Sequence, residues 1–248
     1  MIKEIKEHRT VRKFRDTPVP EEVLEEVLLA GTRASNTGNM QLYSMVVTTS
    51  RELREQLSPC HFNQPSVLQA PVHITFCADV NRFSQWCRQR GARPQYDNFL
   101  WFLNGAVDAV LASQNVALEA EAHGLGICYL GTTLYTAERI AQVLELPAGV
   151  VPVTVIVLGY PDEQPPLTDR LPLEGVVHRE KYHHYTPDDI DRIWAEKESS
   201  EQTAELLRVN DLPNLARIFT ERRYKGEDNL AFSRSYFEFL KKQGVFNQ

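Results

Sequence analysis

The sequence predicts an α+β fold, with a small, mostly antiparallel sheet flanked by helices around one long central helix. Three observations predict it. Four short runs rich in β-branched residues (42–49, 72–78, 127–130 and 150–158) are separated by helical segments of unequal length. The stretch 98–122 has no proline and one glycine and is apolar on most faces, the mark of a helix buried in a core or across a subunit interface. Strands and helices do not alternate as in a parallel α/β protein. Gly124-Leu125-Gly126 follows a helix instead of opening one, so the dinucleotide-binding glycine fingerprint is absent.

The elements follow in order. Residues 20–30 read as a helix: Pro20 suits a first turn, Glu21 and Glu22 suit its positive end, and Val23, Leu24, Val27 and Leu28 make one apolar face that Gly31 ends. Ser35-Asn36-Thr37-Gly38-Asn39-Met40-Gln41 is a polar loop. Ser50 can cap a short helix through Leu57, and Thr133 or Thr136 one that runs to Leu144. Gly131-Thr132-Thr133 is a tight turn after the 127–130 strand. Pro152, near the start of the last strand, predicts an edge or an unpaired end there. Beyond residue 186 the β-branched residues thin out and helices are expected at 188–201, 203–210, 214–220 and 229–243. The division expected is therefore a core of residues 1–185 and a helical extension of residues 186–248 that packs on it.

Composition bounds the function. At 248 residues, 42% apolar and 24% charged, the chain is that of an ordered globular protein. No apolar run reaches the roughly 20 residues of a membrane span, and Met1-Ile2-Lys3-Glu4-Ile5 has no signal-peptide character. The 4 cysteines are scattered without a Cys-x-x-Cys pair, and the 7 histidines show no His-x-x-x-His spacing. That pattern predicts no metal site, no disulfide framework and a reducing, cytoplasmic setting. A formal charge of −6 argues against nucleic acid as a partner. Asp188-Asp189 and Glu119 with Glu121 read as solvated helix-surface carboxylates, not as catalytic pairs.

Against that acidic balance stands His8-Arg9-Thr10-Val11-Arg12-Lys13-Phe14-Arg15. On a helical turn Arg9 and Arg12 share a face, with the Thr10 hydroxyl between them. Planar guanidinium forks at that spacing suit a phosphate or carboxylate. A solvated basic turn is the alternative.

This segment resembles the His-Arg-Ser-x-Arg-x-Phe signature of the FMN-dependent nitroreductases, closest to their NADPH-dependent nitroreductase and flavin reductase group. The resemblance continues at 35–41, at Gln64, at Cys77-Ala78-Asp79-Val80-Asn81-Arg82, through 124–131, at Leu158-Gly159-Tyr160-Pro161 and at Arg170-Leu171-Pro172. It implies a nitroreductase-like fold, an interlocked homodimer and FMN at the subunit interface, with the C-terminal extension also packing on the dimer partner. It assigns the FMN phosphate to His8, Arg9, Thr10, Arg12 and Arg170. It assigns the ribityl chain and pyrimidine edge to Asn36, Thr37, Asn39 and Gln41, and the ring to Gln64, Tyr129, Leu130, Gly131 and Thr132. Thr168 stands where the related enzymes carry Lys, which removes one cation from the phosphate site. NADPH, with NADH as the other option, is the implied electron donor, and Arg217, Arg222, Arg223 and Arg234 are candidates for its contacts. The implied reaction is ping-pong hydride transfer from NADPH through FMN N5 to a small-molecule acceptor such as a nitroaromatic, quinone or flavin; FMN carries that chemistry, so no catalytic side chain is nominated. Two alternatives stand beside it: specialised flavin chemistry on the same scaffold (reductive dehalogenation or flavin fragmentation), and an anion- or nucleic-acid-binding module using the basic N-terminus.

Overall fold

The computed structural model describes residues 1–247. After α1 (Lys3–Glu7), residues 8–15 run extended, and α2 (Glu21–Thr32) follows. Then come β1 (Tyr43–Thr48), α3 (Arg51–Leu57), α4 (Pro65–Gln69), β2 (Val72–Asp79) and α5 (Asn81–Gln89). The long helix α6 (Phe99–Ala122) leads to β3 (Gly126–Tyr129), α7 (Ala137–Val143) and β4 (Val150–Gly159). The C-terminal helices are α8 (Pro187–Ser199), α9 (Glu201–Asn210), α10 (Leu215–Ile218) and α11 (Gly226–Lys242). Helix α5 was not among the elements expected.

The four strands form one antiparallel sheet in the order β1-β2-β4-β3. Alternation along β2 and β4 gives it two apolar faces. Val72, Ile74, Phe76, Ile156 and Leu158 pack against α2 and α6. On the other face Val155, Val157, Cys128 and Leu130 meet Val11, Phe14, Val67 and Ala70. Each such fully buried large side chain contributes roughly 1.5–3 kcal/mol, so the sheet is held from both sides.

As a strand β4 is central, but its Pro152 end is unpaired on one side, as expected; the proline lies opposite Cys77 at a bulge between Phe76 and Cys77. There β3 no longer accompanies β4, since their register ends at Tyr129 and Ile156. The missing N–H is therefore not asked for. Gly31 does not end α2. It lies buried where α2 crosses α6, and a Cβ there would stand 2.7 Å from Val116 Cγ2, so its small size sets the helix approach.

Helix α6 starts at Asn98, whose side chain accepts from the Trp101 N–H. One face, including Phe102, Ala109, Ala112, Val116 and Ala120, is buried on the sheet. The opposite face carries Leu100, Leu103, Val107, Val110 and Leu111, all exposed, with Leu100 at 60% and Val107 at 51%. The expectation of a helix buried all round is not met within a single chain.

The chain divides into two compact units, one of residues 1–166 with 232–248 and one of residues 167–231. The expected division, 1–185 and 186–248, has a single break, whereas the second unit here is an insertion within the first. Phe239, Leu240 and Val245 pack with Phe102, Ala141 and Val151, so the C-terminal residues belong to the first unit. In the second unit Ile193, Thr203, Leu215 and Ile218 are buried. No helix among the described residues is long and apolar enough to cross a membrane.

Candidate active site

The basic N-terminal segment is extended, not helical, so Arg9 and Arg12 are not related by a helical turn. It runs beside β3: Val11 N–H donates to the Ile127 carbonyl at 2.9 Å, and Arg15 N–H to that of Tyr160 at 2.9 Å. Gly126 permits this, because a Cβ there would collide with Val11 at 2.7 Å. The N–H groups of Arg12 and Lys13 both donate to Glu163 Oε1, at 2.6 and 3.0 Å. With the backbone so held, the Arg12 side chain is exposed and has no hydrogen-bond or ion-pair partner among the described residues.

Arg9 is placed differently. Its Nη1 donates to the Glu7 carbonyl at 3.0 Å, and its Nε is buried without a partner. It lines a cleft with Glu4, Glu7, Glu121 and Glu163. His8 Nδ1 lies 2.7 Å from Glu121 Oε1, and the Glu121 side chain is only 12% exposed. Burial raises the pKa of Glu121, and the hydrogen bond and charge of His8 oppose that rise. Glu121 is thus no solvated surface carboxylate, contrary to the sequence expectation. Glu119 is half-buried beside His123, and Asp189 forms a capping box with Thr186 at the start of α8.

A second cluster adjoins this one. Val67 and Leu130 pack in the same apolar group as Val11 and Phe14, which brings the segments 8–15, 61–67 and 128–132 together. His61, fully buried, places Nδ1 2.9 Å from the Thr132 hydroxyl, and burial lowers its pKa to about 4. Gln64 Nε2 donates to the His61 carbonyl at 3.1 Å. Tyr129 turns its hydroxyl to Ser113 Oγ at 3.0 Å, and burial raises its pKa. Leu130 is buried and its N–H donates to the Val155 carbonyl at 2.9 Å. What faces outward from this run is the short helical turn that begins at Gly131 and Thr132. No atom stands within 4 Å of a Cβ built on Gly131, and the first N–H groups of such a turn lack intrahelical acceptors.

The polar loop 35–41 lies at the other edge of the sheet, leading into β1. Its conformation is unusual: Gly38, Asn39 and Gln41 all have φ near +50°. Asp108 of α6, 1% exposed, accepts from the Thr37 N–H at 2.8 Å, the Thr37 hydroxyl at 2.9 Å and the Leu42 N–H at 3.2 Å. Gln41 Nε2 donates to Asn39 Oδ1 at 2.6 Å and to Asn36 Oδ1 at 3.3 Å. The Arg82 guanidinium bonds the carbonyls of Gln41 and Tyr43. Thr37 is therefore an anchor, and Asn36, Asn39 and Gln41 brace one another. Sequence reading missed Asp108 and His61, and it quoted Arg82 without giving it a role. Asp108 had a visible signal, a carboxylate set among the apolar residues of the first half of α6, away from the Glu119 and Glu121 pair near its end.

Arg170 lies in the second unit, where its Nη1 donates to the Thr168 hydroxyl at 2.7 Å. In that unit Arg217 is paired with Glu221 at 2.5 Å, and Arg223 lies over the Phe219 ring at 5.5 Å. Arg222 is exposed there, and Arg234 is exposed in the first unit. Away from these groups, His123 Nε2 lies 3.0 Å from Glu26 Oε2 and 3.3 Å from Glu119 Oε1. These three residues could offer converging ligand atoms to a cation.

The arrangement supplies unpaired cations, amide groups and an unobstructed backbone turn, but no nucleophile activated by a base. Such a site suits a bound group that carries its own chemistry. The comparisons agree. Residues 5–160 match the nitroreductase family. An oxygen-insensitive NADPH nitroreductase of Salmonella typhimurium is 37% identical over 71% of this chain and 71% of its own length. An NADPH-flavin oxidoreductase of Vibrio harveyi is 34% identical over 76% of this chain and 77% of its own length. Among solved structures, a Bacteroides fragilis protein described as an oxidoreductase is 44% identical and superposes with a TM-score of 0.97 over 99% of this chain and 100% of that one. The NADPH:FMN oxidoreductase from Vibrio harveyi, complexed with NAD+, gives a TM-score of 0.76 at 29% identity, over 94% of this chain and 95% of that one. In sheet order, in flanking helices and in the sequence over its first two thirds, the chain belongs to the nitroreductase family.

Proposed function

We propose that the chain is an FMN-dependent NAD(P)H oxidoreductase that works as a homodimer and reduces nitroaromatic, quinone or flavin acceptors. The observation that carries this reading is the exposed, unpaired guanidinium of Arg12 on a segment fastened beside β3, packed with the Gln64 and Gly131-Thr132 segments. A phosphate monoester bears a charge of about −1.5 to −2, and Arg12 and Lys13 are free to meet it. Arg9 sits in a carboxylate-lined cleft and supports the segment more than it offers charge. His8 and Thr10 complete the phosphate set proposed for the first unit.

When bound, FMN supplies a ring that accepts and returns a hydride. This chain's residues bind it, orient it and set its surroundings. Asn36, Asn39 and Gln41 offer amide groups to the ribityl chain and pyrimidine edge, on a loop that Thr37 and Asp108 hold rigid. The Gln64 side-chain oxygen Oε1, which has no partner among the described residues, and the N–H groups of Gly131 and Thr132 are proposed to face the ring. Arg222, Arg223 and Arg234 are the proposed NADPH contacts, and Arg217 is the weakest of the four because Glu221 neutralises it.

The homodimer is supported by two features. The residues assigned to FMN fall into two groups at opposite edges of the sheet, one beside β3 and one before β1. The exposed apolar face of α6 gives a second chain a surface to cover. A cytoplasmic location is read from four buried free thiols.

Absorbance and steady-state kinetics test the proposal. Purified protein, as isolated or after FMN is added, should show the flavin bands. NADPH should bleach them under anaerobic conditions, and initial-rate lines at several menadione concentrations should run parallel. A colourless protein that FMN does not reconstitute would overturn the proposal.

A further inference from the structure

The backbone just before Gln64 is strained. Phe62 and Asn63 have φ of 56° and 54°, two consecutive left-handed residues of which neither is glycine. The chain pins them there: Asn63 N–H donates to the Ser58 carbonyl at 2.9 Å, Phe62 N–H to that of Pro59 at 3.3 Å, and Ser58 Oγ to Asn63 Oδ1 at 3.3 Å. The Phe62 ring is left 52% exposed. It lies 6.4 Å, centroid to centroid, from both Tyr135 and Phe232, whose own rings stack at 4.4 Å and 17°. Tyr135 also walls a cleft of about 500 Å³ with Leu134, Arg139, Gln142, Ser235 and Tyr236.

A cluster that only fastened a loop would bury its rings on relaxed backbone. This one holds a half-exposed ring, Phe62, on a strained backbone, and its Tyr135 lines an open cleft of small-molecule size. Its position is fixed relative to the proposed flavin contacts. Phe62 is two residues from Gln64, Tyr135 three from Thr132, and His61 ties the two segments through the Thr132 hydroxyl.

We propose that Phe62, Tyr135 and Phe232 form the subsite that receives the planar ring of the electron acceptor, an uncharged quinone or nitroarene. This rests on the flavin reading above. Such acceptors carry no phosphate or carboxylate for an arginine to hold, so ring area is the handle they present. Offset or edge-to-face contact with aromatic side chains is the interaction that uses it.

The test uses FMN-loaded holoenzyme and the variants Phe62→Ala, Phe62→Tyr and Phe232→Ala. Menadione is titrated calorimetrically into the oxidised enzyme without NADPH, and steady-state rates are measured with menadione and with ferricyanide, which has no aromatic ring. Both alanine variants should raise the Kd and KM for menadione by about 3- to 10-fold. Phe62→Tyr should restore them. FMN content, the KM for NADPH and ferricyanide turnover should not change. Unchanged menadione binding in FMN-loaded alanine variants overturns the subsite and leaves the flavin reading standing. Loss of FMN together with menadione binding shows the cluster to be loop packing and overturns it as well. A wild-type protein that cannot hold FMN overturns both.

Discussion

Arg9 and Arg12 look equivalent in the sequence and are not equivalent in the fold. Arg9 is engaged by the Glu7 carbonyl and surrounded by carboxylates, whereas Arg12 is exposed and unpaired. Arg12→Ala is expected to weaken FMN binding at least tenfold, since a charge-assisted bidentate contact to phosphate is lost. Arg9→Ala should weaken it less and lower thermal stability more. Fluorescence titration with FMN, set beside a melting curve for each variant, separates the two. Equal loss of FMN from both variants would contradict the distinction. Asp108 is the other residue whose role is visible only in three dimensions. Its buried carboxylate takes three hydrogen bonds from the 37–42 segment, and bonds to a charged acceptor are each worth about 1.5–3 kcal/mol. Asp108→Asn replaces one acceptor oxygen with a donor and should cost about 2–3 kcal/mol in urea unfolding, with weaker FMN binding. A stability change under about 0.5 kcal/mol would mean that the loop does not depend on this anchor.

At the scale of elements, the strands, α6 and the C-terminal helices were legible in the sequence because each has a strong period or a composition boundary. Ser50 caps α3 as its place before that helix suggested, and Asn98 caps α6 without having been read as a cap. The conformation of 8–15 was not legible, because it is set by pairing with β3, a contact more than a hundred residues away along the chain. Nor was the polar content of the layer beneath the sheet. His61 and His73 are both fully buried there, and burial lowers their pKa values to about 4 and about 3. In the unfolded chain each titrates near its ordinary value of about 6.5. Between those limits the unfolded state binds more protons, so stability is complete above about pH 6.5 and falls as the pH drops toward the folded values. From pH 7.5 to 5.0 the loss should be about 2 kcal/mol per histidine. Glu121, raised by burial, acts in the opposite sense, so the comparison that isolates the histidines is wild type against His73→Gln. Urea unfolding at the two pH values should show a smaller drop in the variant. An equal drop would place the titration elsewhere.

At the scale of the whole molecule, the proposed FMN residues fall into two groups, and the proposed homodimer accounts for both. The 8–15, 61–67 and 128–132 segments gather at the β3 edge, while 35–41 is anchored at the β1 edge. Helix α6 touches all four strands and turns Leu100, Leu103, Val107, Val110 and Leu111 outward. A contiguous apolar stripe of this kind on a charged protein marks a protein contact surface. If two chains meet along it, one chain's β3-edge group can work with the other's β1-edge loop. Leu103→Glu with Val107→Glu places two carboxylates in the middle of the stripe, where burial without a partner costs several kcal/mol each. Sedimentation equilibrium should then change from about twice the 28.4 kDa chain mass to the single mass. Far-UV circular dichroism should stay the same, because neither side chain takes part in the core of its own chain. FMN affinity should fall at least tenfold in the same preparation, since the cofactor would lose one of its two walls. A variant that remains dimeric and fully loaded would show that this face of α6 is not where the subunits meet, and that each chain builds its own site.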